Sequence, residues 1–260
     1  MDIRLDGKVA LISGGSLGLG RAMAAAMAAS GADVAIIARR PDVLAEAKAE
    51  IESGAAGRVA TFAGDVSRAD EIGRLFAAVA EAFGQVDILV NNAGTSATGD
   101  FEDITDEIWQ ADLDLKLFAA IRLARLAFPA MKARQWGRII NVLNIGAKTP
   151  AGGSAPTTVS RAAGMALTKV LSKEGAPHNV LVNALCTGFF VTDQWHRRHQ
   201  RMAPELTFEQ FVAKAGEGVP IGRVGDAKEF ANLACFLASD AASYLTGAAI
   251  NIDGGASPVV

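Results

Sequence analysis

At 260 residues the chain has the length of one α/β domain, and half of its residues are hydrophobic, enough to cover both faces of a buried sheet. A formal net charge of −3 leaves no basic footprint, so nucleic acid is not expected as a partner. The two cysteines, Cys186 and Cys235, have neither a metal-ligand spacing nor a disulfide framework; they read as reduced core thiols, and no metal is expected.

In chain order, the N-terminus M-D-I-R-L-D-G-K has no apolar run behind its charges, which predicts no signal peptide and a cytoplasmic location. Residues 9–12 form the first strand-like run, and a glycine-rich turn follows. An Ala-rich helix then runs from Gly20 to about Ser30, stopped by Gly31; its apolar stretch 22–29 is too short to span a membrane, so no membrane partner is expected. Further apolar runs at 34–38, 59–62, 88–90, 139–143, 180–184 and 249–252 alternate with amphipathic stretches. Residues 71–83 are one of these, with Ile72, Leu75, Phe76, Val79 and Phe83 on one helical face. The alternation predicts a single α/β domain over 1–260, a Rossmann-like doubly wound parallel sheet with helices on both faces. Residues 189–220 are the least regular part, rich in charge and large side chains (Trp195, His196, Arg197, Arg198, His199), and predict a helical lid over a site.

The turn reads V-A-L-I-S-G-G-S-L-G-L-G from Val9 to Gly20, with a strand before it and a helix after it. Gly14, Gly18 and Gly20 provide turn geometry and close backbone approach, with Ser16 and Leu17 between them. The helix N-terminus offers free N–H groups to a pyrophosphate. At the end of the second strand, an acidic residue would bind a ribose 2′-OH and repel a 2′-phosphate. The chain has Ala38 there, followed by Arg39 and Arg40, and a guanidinium can fork onto phosphate. The expected cofactor is NADP(H), with NAD(H) the alternative.

The spacing Gly14-x-x-x-Gly18-x-Gly20 resembles that of the short-chain dehydrogenase/reductase family, and the likeness extends over nearly the whole chain. Asp65-Val66, Asn91-Asn92-Ala93-Gly94, Cys186-Thr187-Gly188 with Thr192, Pro220 to Gly225, Phe236 to Asp240 and Asp253-Gly254-Gly255 all read like the family. The resemblance implies that Asp65 and Val66 meet the adenine and that Asn92, Ala93 and Gly94 lie under the cofactor. It further implies that Gly188 and Thr192 meet the nicotinamide end and that Arg161 holds ribose.

The same resemblance exposes a departure. The family uses a Ser and a Tyr on the substrate oxygen, a Lys beside the phenol, and an Asn that anchors a relay water. Asn144 stands at the serine, Thr157 at the tyrosine, Arg161 at the lysine and Lys116 at the asparagine. The chain's only tyrosine, Tyr244, lies far along the sequence in S-Y-L-T-G. A threonine hydroxyl donates a hydrogen bond but does not ionise as a phenol does, and an arginine keeps its proton. Lys116 is the one titratable group of the four. Two readings of it stand: a relocated proton donor whose pKa Arg161 depresses, with Asn144, Thr157 and Arg161 holding the oxyanion, or a helix lysine with a solvated head. His196 and His199 are alternative proton sources, and His178 reads as structural. The expectation is an NADP(H)-preferring oxidoreductase acting on a small-molecule carbonyl or alcohol. The alternatives are a cofactor-binding homologue without turnover, or non-redox chemistry on the same fold. Helices expected over 107–134 and 158–172, the second rich in small residues, predict a homo-oligomer, a tetramer or else a dimer.

Overall fold

The computed structural model describes residues 3–260, so the first two residues of the N-terminal segment read above lie outside it. Seven strands, β1 (Val9–Ser13), β2 (Asp33–Ala38), β3 (Val59–Ala63), β4 (Ile88–Asn91), β5 (Gly137–Asn144), β6 (Val180–Thr187) and β7 (Ala249–Ile252), pair in parallel in the order β3-β2-β1-β4-β5-β6-β7. Chain order reverses between β1 and β4. That switch point opens a crevice at the carboxyl ends of the strands, where open α/β sheets bind ligands.

Helices flank the sheet: α1 (Gly18–Ala29), α2 (Pro41–Glu52), α3 (Ala69–Phe83), α4 (Asp106–Leu113), α5 (Ala119–Ala133), α6 (Thr157–Gly175), α7 (Asp193–Met202), α8 (Phe208–Gly216) and α9 (Ala227–Ala238). Alternation along β1 sorts its side chains between two cores. Ala10 and Ile12 pack with Met23 and Met27 of α1, Leu44 of α2 and Phe230 of α9. Leu11 packs on the other face with Leu75 and Val79 of α3 and Leu123 and Met131 of α5. Each fully buried aliphatic side chain of this kind contributes about 1.5–3 kcal/mol of transfer free energy.

Several boundaries differ from the sequence pattern, and three of the differences bear on the site. Strand β6 runs on past 184 through Leu185, Cys186 and Thr187, because β7 pairs with it there, from Ala184↔Ala249 to Thr187↔Ile252. Helix α1 begins at Gly18, two residues before the expected start, since Gly18 already lies in the helix that the turn launches. Between α4 and α5 the chain continues as a π-helical turn, Asp114–Phe118, which contains Lys116. A π turn rotates the following residues relative to an ideal α-helix, and such turns recur at functional sites. Residues 189–220 contain α7 and α8, joined by an aromatic cluster in which Trp195 lies 6.2 Å from Phe189 and 5.7 Å from Phe211.

Candidate active site

A cavity of about 670 Å³ opens at the switch point. The cofactor-binding candidates named from the sequence all line it, as do Asn144, Thr157 and Arg161, whereas Lys116 and the alternative proton sources His196 and His199 do not.

The glycine turn is held from below. Ser13 Oγ accepts the N–H groups of Asn92 (3.1 Å) and Ala93 (3.2 Å), and Asn92 Nδ2 donates to the carbonyls of Ser13 and Gly14. The N-N-A-G segment after β4 therefore fixes the turn after β1. A Cβ on Gly20 would lie 2.2 Å from Gly14 O and 2.5 Å from Asn92 Nδ2, so the tie requires glycine. Gly14 and Gly18 take positive φ, +66° and +54°, which side chains other than glycine's strain to adopt. Arg39 and Arg40 follow β2, exposed at the cavity, and their guanidinium groups make no hydrogen bond or ion pair with a described residue. Asp65 Oδ1 accepts from the N–H and hydroxyl of Ser67 at 2.9 and 2.8 Å, which braces the turn after β3. At the far side, Gly188 N–H donates to Ile252 O at 2.8 Å, and Thr192 immediately precedes α7 without a side-chain capping bond.

The four catalytic candidates, Asn144, Arg161, Lys116 and Thr157, split into two groups. Asn144 and Arg161 face the cavity with donors to spare. Asn144 Oδ1 accepts the Ala147 N–H at 3.1 Å, and its Nδ2 has no partner among the described residues. Arg161 Nη1 donates to Val142 O at 2.5 Å, while its other N–H groups have no described partner. Burial brings the Arg161 guanidinium down to about 10, against the opposing influence of Asp112 and Cys186, so it remains a cation at neutral pH.

Lys116 and Thr157 belong to a closed buried network. The Lys116 side chain is 1% exposed, which corrects the reading of a solvated head. Its ammonium pairs with Asp112 and donates to Thr157 Oγ1 at 2.8 Å. Ser160 Oγ donates to Asp112 Oδ2 at 2.6 Å. Thr157 Oγ1 donates to Ala97 O at 2.8 Å and accepts the Ala97 N–H at 2.9 Å. The Lys116 pKa lies below the ordinary lysine value, with burial as the main cause. Asp112 opposes that shift, and Arg161 lowers the pKa by less than burial does, whereas the sequence reading had assigned the effect to Arg161. Sequence reasoning missed Asp112 and Ser160. The i,i+4 spacing of Asp112 and Lys116 was the available signal for the first.

The histidines lie away from this chemistry. His196 stacks on Phe208 with ring centroids 3.9 Å apart, His199 bonds the Leu206 carbonyl at 2.8 Å, and His178 bonds Gln135 at 2.9 Å. None of the three lines the cavity. Among the described residues, no group of three or more His, Cys, Asp or Glu is placed to hold a metal ion. No helix among them is long and apolar enough to cross a membrane.

A parallel doubly wound sheet, with a glycine turn opening a helix at its switch point, defines a wide structural class. Comparison with known proteins narrows it. Residues 14–257 match the family model described as enoyl-(acyl carrier protein) reductase. The chain is 36% identical over 255 residues to a D-beta-hydroxybutyrate dehydrogenase of Cupriavidus necator, covering 96% of this chain and 98% of that one. It is 32% identical over 249 residues to an acetoacetyl-CoA reductase of Shinella zoogloeoides, covering 95% and 98%. Among solved structures, L-sorbose reductase of Gluconobacter frateurii, complexed with NADPH and L-sorbose, superposes with a TM-score of 0.95 at 34% identity over the full length of both chains. The chain belongs to the short-chain dehydrogenase/reductase family.

Proposed function

We propose that the protein is an NADP(H)-preferring oxidoreductase that interconverts a carbonyl and an alcohol on a small-molecule substrate, with a proton relay rebuilt around Lys116. The observation that carries this reading is the hydrogen bond from Lys116 Nζ to Thr157 Oγ1, because Thr157 lines the cavity and Lys116 does not. A hydroxyl that accepts one proton while releasing another connects a buried ammonium to the cavity without itself ionising. Asn144 Nδ2 and the free N–H groups of Arg161 are the donors that can hold a substrate oxygen as charge develops on it.

The cradle suits a dinucleotide: positions where a Cβ would collide form its floor, and the Gly18 N–H already bonds an acidic side chain, Asp193. Ser16, Leu17 and the glycines would hold the pyrophosphate and Arg39 the 2′-phosphate. Asp65 and Val66 would meet the adenine, Arg161 the ribose, and Gly188 and Thr192 the carboxamide. When bound, NADP(H) supplies or accepts the hydride. The printed descriptions of the relatives as reductases and dehydrogenases, and NADPH in the sorbose reductase complex, support this reading. Residues 189–220 serve in it as a lid over the substrate.

The experiment is a screen of ketones with NADPH and alcohols with NADP+, followed by variants. Lys116→Met alone would strand a buried carboxylate, so the informative variant is Asp112→Asn with Lys116→Met, which removes both charges together. Its turnover should fall by about 100-fold or more, with NADPH affinity nearly unchanged. Full activity in that double variant would sink the relay. Arg39→Asp should reverse an NADPH-over-NADH preference in calorimetric titration; equal affinities for the two in the wild type would refute the assigned preference.

A second reading, cofactor binding without turnover, has its own observation. The Thr157 hydroxyl proton is engaged with Ala97 O, and the oxygen already accepts from Ala97 N and Lys116. That reading predicts NADPH binding with no ketone or alcohol turned over.

A further inference from the structure

Helix α7 presents two charged side chains to the cavity, Asp193 and Arg197. Residues four apart on a helix share a face, so the two lie one above the other. Asp193 Oδ2 accepts the Gly18 N–H at 3.0 Å, at the first residue of α1. Thr192 seats the contact: a Cβ on Gly18 would lie 3.3 Å from its side chain. The first turn of α1 carries no acidic residue of its own, so its orphan N–H groups and dipole receive a carboxylate from a segment 175 residues away. Arg197 is exposed, lines the same cavity and makes no hydrogen bond or ion pair with a described residue.

A carboxylate and a phosphate are alternative acceptors for one N–H, and their like charges repel. We propose that α7 is a working part of the dinucleotide site: Asp193 competes with the pyrophosphate for the Gly18 N–H, and Arg197 is the cation that receives the pyrophosphate once Asp193 has yielded. The proposal rests on the dinucleotide reading given above. It makes cofactor affinity a difference between two anions at one donor, and it couples binding to the position of α7. Trp195, between the two charged residues and on the same cavity, reports that position.

The test titrates the full-length protein, Asp193→Ala and Arg197→Gln with NADPH, NADH and ADP-ribose by calorimetry, and melts each without ligand. Asp193→Ala should tighten all three ligands by about tenfold, the worth of one charge-assisted hydrogen bond, while lowering the ligand-free melting temperature. A structural role alone would lower the melting temperature without tightening anything. Arg197→Gln should weaken all three by roughly tenfold, unlike Arg39→Gln, which should weaken NADPH alone. ADP-ribose should change the tryptophan emission of the wild type, and Trp195→Phe should abolish that change. Unchanged or weaker affinity in Asp193→Ala, a loss in Arg197→Gln confined to NADPH, or no emission change would overturn the proposal while leaving the dinucleotide site standing. If the wild type binds none of the three ligands, the dinucleotide reading fails first and this one with it.

Discussion

Around the cavity, Lys116 forms a buried ion pair with Asp112, while Asn144 and Arg161 keep donors that no described residue takes up. The pair explains why Lys116 tolerates a side chain that is 1% exposed: Asp112 balances its charge, Thr157 accepts a second hydrogen bond from the ammonium, and Ser160 donates to Asp112. Removing one partner of such a pair costs about 3–5 kcal/mol, because an uncompensated charge stays buried. Asp112→Ala should therefore lower the unfolding free energy by roughly that amount in urea titration, and adding Lys116→Met should restore much of it. If the two losses simply add, the pair is not coupled. In the proposed relay the same lysine would set a pH dependence. A proton donor must be protonated to act, and the Lys116 pKa is lowered. Ketone reduction should therefore be fastest at low pH and decline through an inflection below the usual lysine value. A flat profile across that range would remove Lys116 from the relay.

At the level of elements, the cradle was the most legible part of the chain. Glycine spacing, the strand before and the helix after are local features, and the backbone bears them out at Gly14, Gly18 and Gly20. Gly20→Ala brings a Cβ to 2.2 Å from a backbone carbonyl, so the turn must shift. NADPH affinity should drop at least about tenfold, with a stability loss of roughly 1–3 kcal/mol. An unaltered titration would show that the turn does not hold the phosphates. The seven strands were legible for the same reason, since buried parallel strands read as short apolar runs. Features made by contacts distant in sequence were not legible. The extension of β6 depends on its pairing with β7. The burial of Lys116 depends on a π turn that no periodicity announces. The contact of Asp193 has no local signal, because its partner, Gly18, is 175 positions earlier.

For the molecule as a whole, the remaining expectation concerns assembly. The two helical stretches expected to pair subunits appear as α4–α5 and α6, and large apolar side chains on them remain exposed. Ile108, Phe118, Leu126, Val159 and Val170 are each 37–54% exposed. Scattered singly these need no explanation, but five on neighbouring helices favour a covered face. Light scattering at micromolar concentration should give a dimer or tetramer mass, and Val170→Asp should shift it toward monomer. A monomer mass for the wild type would contradict the expectation.

The Asp112–Lys116 pair also constrains the chain's descent. A neutral side chain placed at position 116 alone would leave Asp112 buried without its cation. Neutralising Asp112 first would leave Lys116 in the same difficulty. Either single step passes through an intermediate weakened by several kcal/mol, a large share of a domain's total stability. The pair is thus an epistatic ratchet: selection can reshape the cavity beside it more readily than it can take the pair apart.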